Sequence, residues 1–191
     1  MIKASKADKH LIIDILSKAF DKNNSVNFVV KQDSKRYERI KSLMDYSFEV
    51  CYRFGEIYLS EDKKACALIL YPDKQKATIL LDMTLLLNCI GLSRAKKVLD
   101  RNSKIKQHYP TKAINYLWFI GVDTTQQGKG LGSSLLNDII GASDFNNRPI
   151  YLETSMRQNL PFYKRLGFEI YKELNFGHTL YLLRRPVPTK K

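Results

Sequence analysis

Between residues 127 and 132 the chain reads Gln-Gly-Lys-Gly-Leu-Gly, and this run limits the possible fold more than any other segment. It follows an apolar stretch, Tyr116 to Val122, and precedes Leu131, Leu135, Leu136, Ile139 and Ile140, which recur at the spacing of one helix face. The expected order is buried strand, tight turn, helix. At such a turn the first N–H groups of the helix lack internal partners and point outward, so an anion fits there. Two phosphate motifs are tested by spacing. The P-loop fails because Asp123 and Gly130 stand where it needs its first Gly and its Ser or Thr. The dinucleotide fingerprint fails because the glycines fall at 128, 130 and 132, which brings the third one residue too early.

The flanking segments have readable periods. Ile2 opens a short strand, and Ser5 with Asp8 resembles a capping box ahead of Leu11, Ile12, Ile15, Leu16 and Ala19. Tyr37, Ile40, Met44, Phe48 and Cys51 predict a helix over 34–52. Ile57 to Leu59 and Ala65 to Tyr71 read as a hairpin, with Pro72 closing it. The segments 77–92 and 93–107 both read as helical. After the loop come a strand over 150–154, a short helix over 159–166 stopped by Gly167, and strands over 168–171 and 179–183.

Length matters to the argument at one point: 191 residues without a Gly-, Ser- or Pro-rich linker predict a single domain over 1–191. With 32 Lys and Arg against 19 Asp and Glu, the net charge of +13 favours an acidic partner without choosing one. Arg94, Lys96, Lys97, Arg101, Lys104 and Lys106 concentrate that charge, and a solvated helix face is the expected reading of them. Cys51, Cys66 and Cys89 show no C-x-x-C spacing and no secretory leader is read, so a reducing cytoplasmic setting without structural zinc is expected. The apolar stretch from Ala77 to Leu92 is broken by Asp82 and Asn88 and is shorter than the roughly 20 residues of a membrane span.

The pattern Gln127-x-x-Gly130-x-Gly132 resembles the pyrophosphate loop of the GNAT superfamily of acetyl-CoA-dependent N-acetyltransferases. Further on, Tyr151-Leu-Glu-Thr-Ser155 and Asn159-Leu-Pro-Phe-Tyr163-Lys-Arg-Leu-Gly167-Phe168 look like that family's fifth strand, following helix and sixth strand. Trp118 to Asp123 is similar to its splayed fourth strand, and puromycin N-acetyltransferase-like members are the nearest likeness. The resemblance covers 115–171 closely and the remainder by order of elements. It implies an α/β (α+β) fold: a mixed, mostly antiparallel central sheet flanked by helices, with strands 4 and 5 splayed apart.

The resemblance also implies residue roles. The backbone of Ile120, Gly121 and Val122 is expected to pair with the pantetheine arm of acetyl-CoA as an added strand would, with an N–H near Val122 polarising the thioester carbonyl. The N–H groups of Gly128, Lys129, Gly130, Leu131, Gly132 and Ser133 are expected to hold the pyrophosphate, bordered by the Gln127 and Lys129 side chains. Tyr163 occupies the position of the general acid, with a core aromatic as the alternative. Glu153 is the best-placed candidate base, with an exposed strand residue or an ion pair as the equal alternative. Asn159 matches a position near the pantetheine arm, and equally an N-cap. No metal ligand set is read, and His10, His108 and His178 have no nucleophile partner. The segment 77–107 is expected to be a helical insertion lining the acceptor cleft, with its apolar half inward. The expected activity is direct acetyl transfer to an amine of an acceptor that the sequence does not name. A non-catalytic acetyl-CoA sensor and a basic nucleic-acid-binding protein are the competing readings. An exposed strand edge after Arg184 suggests a possible homodimer.

Overall fold

A computed structural model describes residues 1–110 and 113–188. The chain begins with β1 (Ile2–Lys3) and a turn in which the Ser5 N–H donates to the Asp8 carboxylate at 2.9 Å, the reciprocal half of the expected capping box. α1 (Lys9–Ala19) then buries Ile12, Ile15 and Leu16. A short helix, α2 (Asn24–Val29), had no periodic signal; it exists because the Asn23 side chain accepts from the Ser25 and Val26 N–H groups. α3 (Arg36–Phe54) buries Ile40, Leu43, Met44, Phe48 and Cys51, one face at three- and four-residue spacing.

β2 (Gly55–Leu59) and β3 (Ala65–Leu70) form the hairpin, with Ser60 Oγ accepting from the Ala65 N–H at 2.9 Å to close the turn. At Gly55 the backbones approach so closely that a Cβ would stand 1.9 Å from the Ile69 carbonyl oxygen. Gly55→Ala is therefore expected to cost about 3 kcal/mol or more, because the obstacle is backbone and has no rotamer to yield. A thermal melt within a degree or two of the wild type would contradict this.

All six β3 residues are buried, and they alternate between two cores: Cys66, Leu68 and Leu70 join the cluster under α1, α2 and α3, while Ala65, Ala67 and Ile69 face the other side. A strand covered on both faces loses the apolar/polar alternation and reads as a continuous apolar run. The second cluster lies under α6 (Leu131–Phe145) and α7 (Leu160–Arg165), and includes Leu135, Leu136, Ile139 and Tyr163.

Between the hairpin and β4 (Asn115–Val122) stand α4 (Ile79–Leu85), a wider turn over Leu86–Ile90, and α5 (Ala95–Lys106). The expectation that the apolar half of 77–107 faces inward is corrected here. Leu85, Cys89 and Ile90 turn in, but Ile79 and Leu80 are 70% and 82% exposed.

The sheet has seven strands in the order β1-β2-β3-β4-β5-β7-β6, with β5 (Ile150–Thr154), β6 (Glu169–Asn175) and β7 (Thr179–Arg185). All neighbours are antiparallel except β4 and β5. β7 runs between β5 and β6, so the free edge expected after Arg184 is instead held by pairing of Ile150 with Arg185, and the reason for expecting a dimer there is removed.

Candidate active site

β4 and β5 pair only at Asn115↔Ile150 and Tyr116↔Tyr151, and then separate. The cause lies on the other edge of β4: Leu68 faces Phe119 while Ile69 faces Leu117, so Trp118 is an extra residue in the ladder. Such a bulge bends its strand and strengthens its twist. Beyond it β4 stays bound to β3 and leaves β5, opening a wedge.

The wedge carries free hydrogen-bonding groups. The Asp123 N–H donates to the Lys64 carbonyl at 2.8 Å, which puts Val122, opposite Ala65, at a non-hydrogen-bonded position of the β3–β4 ladder. Antiparallel alternation therefore turns the N–H groups of Val122 and Ile120 away from β3 and toward the gap. Gly121 lies between them and faces β3, opposite Cys66.

The loop lies at the mouth of the same wedge, where the Gln127 side-chain amide reaches the Val122 carbonyl at 3.4 Å. Gly128 and Gly130 have φ of +81° and +83°, values that a side chain adopts only with strain, and a Cβ on either would project into open space. The conformation, more than crowding by protein atoms, is what requires glycine there. Gly130 is the N-cap of α6, and the first helical bond runs from the Ser134 N–H to the Gly130 carbonyl. The N–H groups of Leu131, Gly132 and Ser133 are thus left over at the positive end of the helix, with no acidic residue in the first turn. Lys129 Nζ rests on Gln126 at 2.8 Å, within the loop. Backbone donors, a lysine and an open approach fit a pyrophosphate.

On one face of the sheet the wedge meets a cavity of about 400 Å³. Its wall is aromatic, with Phe20, Tyr46, Trp118 and Phe119 among the lining residues, and α5 contributes Val98, Arg101 and Ile105. The segment 77–107 therefore reaches the cavity through its basic half as well as through Leu85 and Ile90. Glu153 points into this cavity because Leu152, its neighbour on β5, points into the core beneath α6.

Glu153 is buried, and one of its oxygens accepts from both Tyr109 and Tyr116 at 3.1 Å. Arg101 Nη2 lies 3.7 Å from the other oxygen. Burial pushes the Glu153 carboxyl above its usual range, and Arg101 and the two phenols pull it back. Both phenols are raised well above the ordinary tyrosine value by burial, so each keeps the proton it donates.

Tyr163 lies on the opposite face, in the core beneath α6, with its ring 5.0 Å from Phe162 and 5.7 Å from Phe168, both edge-on. It is 7% exposed, and burial raises its phenol pKa. Phe162, its neighbour on α7, is the less buried of the two. Asn159 takes the N-cap position of α7 without a side-chain cap bond, and it does not line the cavity.

Sequence reasoning missed Arg101, Tyr109 and Tyr116. The signal for Arg101 was present: Val98, Arg101 and Ile105 lie on one face of α5, and all three are buried. Reading the basic run as wholly solvated is corrected at this position. Among the described residues no group of three or more His, Cys, Asp or Glu could hold a metal ion. Cys51, Cys66 and Cys89 are buried free thiols, and no helix of the described residues is long and apolar enough to cross a membrane.

A seven-stranded sheet opened between a parallel pair, with an uncapped helix N-terminus at the opening, defines the GNAT class of fold. Comparison with known proteins agrees. Residues 88–170 match the family model described as an acetyltransferase (GNAT) domain. An uncharacterised N-acetyltransferase of Schizosaccharomyces pombe is 38% identical over 69 residues, which is 36% of this chain and 26% of that protein. The chain thus aligns with only about a quarter of the length of that curated relative. Among solved structures, a histone acetyltransferase HPA2 and related acetyltransferase from Corynebacterium glutamicum superposes with a TM-score of 0.73 at 20% identity, covering 100% of this chain and 97% of that one. Arylalkylamine N-acetyltransferase 2 from Aedes aegypti gives 0.69 at 16% identity, covering 98% of each chain. Residues 88–170 thus carry the likeness to the GNAT acetyltransferase domain, and the chain as a whole has the fold of these solved acetyltransferases.

Proposed function

We propose that this protein transfers the acetyl group of acetyl-CoA directly to the amine of a compact acceptor with an aromatic or apolar body, seated in the cavity between α3, α5 and β4. The observation that carries the reading is the wedge itself. It opens on one side to the glycine loop and on the other to an aromatic cavity ending in a buried carboxylate. Extended pantetheine bonds to the free N–H groups of β4 as an added strand would, and the pyrophosphate sits on the α6 terminus.

The chemistry follows from the groups present. The amine nitrogen attacks the thioester carbonyl carbon, forming the C–N bond while the Val122 N–H stabilises the developing oxyanion. The amine's proton passes to Glu153, directly or through one water. The C–S bond breaks, and the departing sulfur takes a proton from the Tyr163 hydroxyl. No covalent acyl-enzyme is required, and the buried thiols, raised by desolvation, are poor nucleophiles.

The aromatic wall selects the acceptor. A protein terminus or a polyamine would have to desolvate several polar groups against it, whereas a ring is favoured by burial. The likeness of the loop and the 159–163 segment to puromycin N-acetyltransferases falls within this class, and so does the arylalkylamine name carried by one structural neighbour. The test is acetyl transfer to 2-phenylethylamine, puromycin, spermine and a short peptide, with highest kcat/KM expected for one of the first two. Preference for the peptide would overturn the acceptor reading.

Glu153→Gln is expected to lower turnover by about 10²-fold or more. The sign of the pH effect follows from the burial of Glu153. The base works as carboxylate, so kcat/KM should fall as pH drops through its raised pKa, in a limb above the ordinary carboxylate range. That limb should be absent from the Gln variant. Unchanged turnover in a folded Gln variant would remove Glu153 from the mechanism.

A further inference from the structure

Arg101 is an unusual member of its helix. Its neighbours in the basic run are mostly exposed, yet it is 7% exposed and lines the cavity. The guanidinium carbon lies 5.8 Å from the centre of the Phe28 ring and 5.6 Å from that of Phe176. Rings from α2 and from the end of β6 thus hold it in place. Among the described residues its Nε finds no hydrogen-bond partner, and Nη1 reaches only Asn102 at 3.4 Å. A buried cation with so little hydrogen bonding is costly unless a charge compensates it. The charge available is Glu153, 3.7 Å from Nη2.

The two Glu153 oxygens are treated differently. Oε1 takes the Tyr109 and Tyr116 hydroxyls, and Oε2 faces Arg101 at a distance longer than a tight charge-assisted bond. One oxygen is tethered and the other is held by charge without being saturated by hydrogen bonds, which suits a group that must accept a proton. We propose that Arg101 is a positioning residue for acetyl transfer: it keeps the Glu153 carboxyl ionised and keeps Oε2 turned to the cavity. The role assigned to Glu153 rests on the function proposed above, whereas the electrostatic link between the two residues does not.

Other charged and titratable groups face the pair from every side. Tyr171 on β6 is coupled to Glu153 by charge, and Lys97 and His178 act on the Arg101 side, where burial and the neighbouring cations lower the imidazole pKa. Lys106 lines the cavity further along α5. None of these has a hydrogen bond to Glu153; among the described residues Arg101 is the cation that pairs with it.

The test is a titration of the full chain labelled with ¹³C at the glutamate side-chain carboxyls, with the Glu153 signal assigned by its loss in Glu153→Gln. In Arg101→Gln the midpoint should rise by about one pH unit or more, the effect of removing an opposite charge at this range. Arg101→Lys, which keeps a cation, should rise less. Phe176→Leu loosens the guanidinium seat while both charges stay, so it provides the measurement if Arg101→Gln does not fold, and a smaller upward shift is expected. A midpoint that stays at the wild-type value in the folded variant overturns the proposal.

A second readout separates this proposal from the function it rests on. With 2-phenylethylamine as acceptor, the acid limb of kcat/KM should move upward together with the carboxyl midpoint. If the carboxyl shifts and the limb does not, the link between the residues stands and Glu153 is not the base.

Discussion

Tyr163→Phe is expected to lose about 10²-fold or more of turnover while acetyl-CoA affinity and melting temperature stay close to the wild type. The substitution removes one oxygen and leaves the ring, with its edge-on contacts to Phe162 and Phe168, in place. Burial raises the phenol pKa, so the hydroxyl is protonated throughout the neutral range, as the proposed general acid must be. The wild type should therefore show an alkaline limb only above about pH 10, and the Phe variant should lack it. A purely structural tyrosine predicts the reverse pattern, with a lower melting temperature and normal turnover per folded molecule.

Gly130→Asp is expected to weaken acetyl-CoA binding by 100-fold or more, on the order of 3 kcal/mol, because it places a carboxylate where the pyrophosphate meets the α6 N–H groups. The fold should survive. A Cβ at this position has open space within 4 Å, so the protein feels only the cost of φ +83° for a residue that tolerates that region better than most. Unchanged affinity by calorimetry in a folded variant would withdraw the loop assignment.

The strand, glycine turn and helix over 116–140 were legible because their requirements are local. A positive φ, an uncapped helix start and a strand before the turn all fall within consecutive residues, so spacing alone separated this loop from the two better-known phosphate motifs. The strand and short helix that carry Glu153 and Tyr163 were legible for a similar reason: they follow one another between 150 and 167. The acceptor side was not legible. Its wall is assembled from α2, α3, α4, α5, β3, β4 and β5, which approach one another only through sheet order, and no local period records that order. α2 was missed because it depends on a single asparagine cap. Arg101 was missed because a basic run conceals one inward member unless the apolar residues three before and four after it are read with it. The outward Ile79 and Leu80 show the opposite error: apolar composition was taken for burial where the helix has nothing to pack against on that side.

Under the function proposed above, the acetyl group passes directly from acetyl-CoA to a small amine across the β4–β5 wedge. The most direct measurement is release of free CoA thiol by the protein from acetyl-CoA, with 2-phenylethylamine present and absent and the amide product quantified by mass spectrometry. The account predicts amine-dependent release, one thiol per amide formed, with no acetyl group retained on the protein. Thiol release that proceeds without amine, or an acetylated protein preceding the amide, would contradict it.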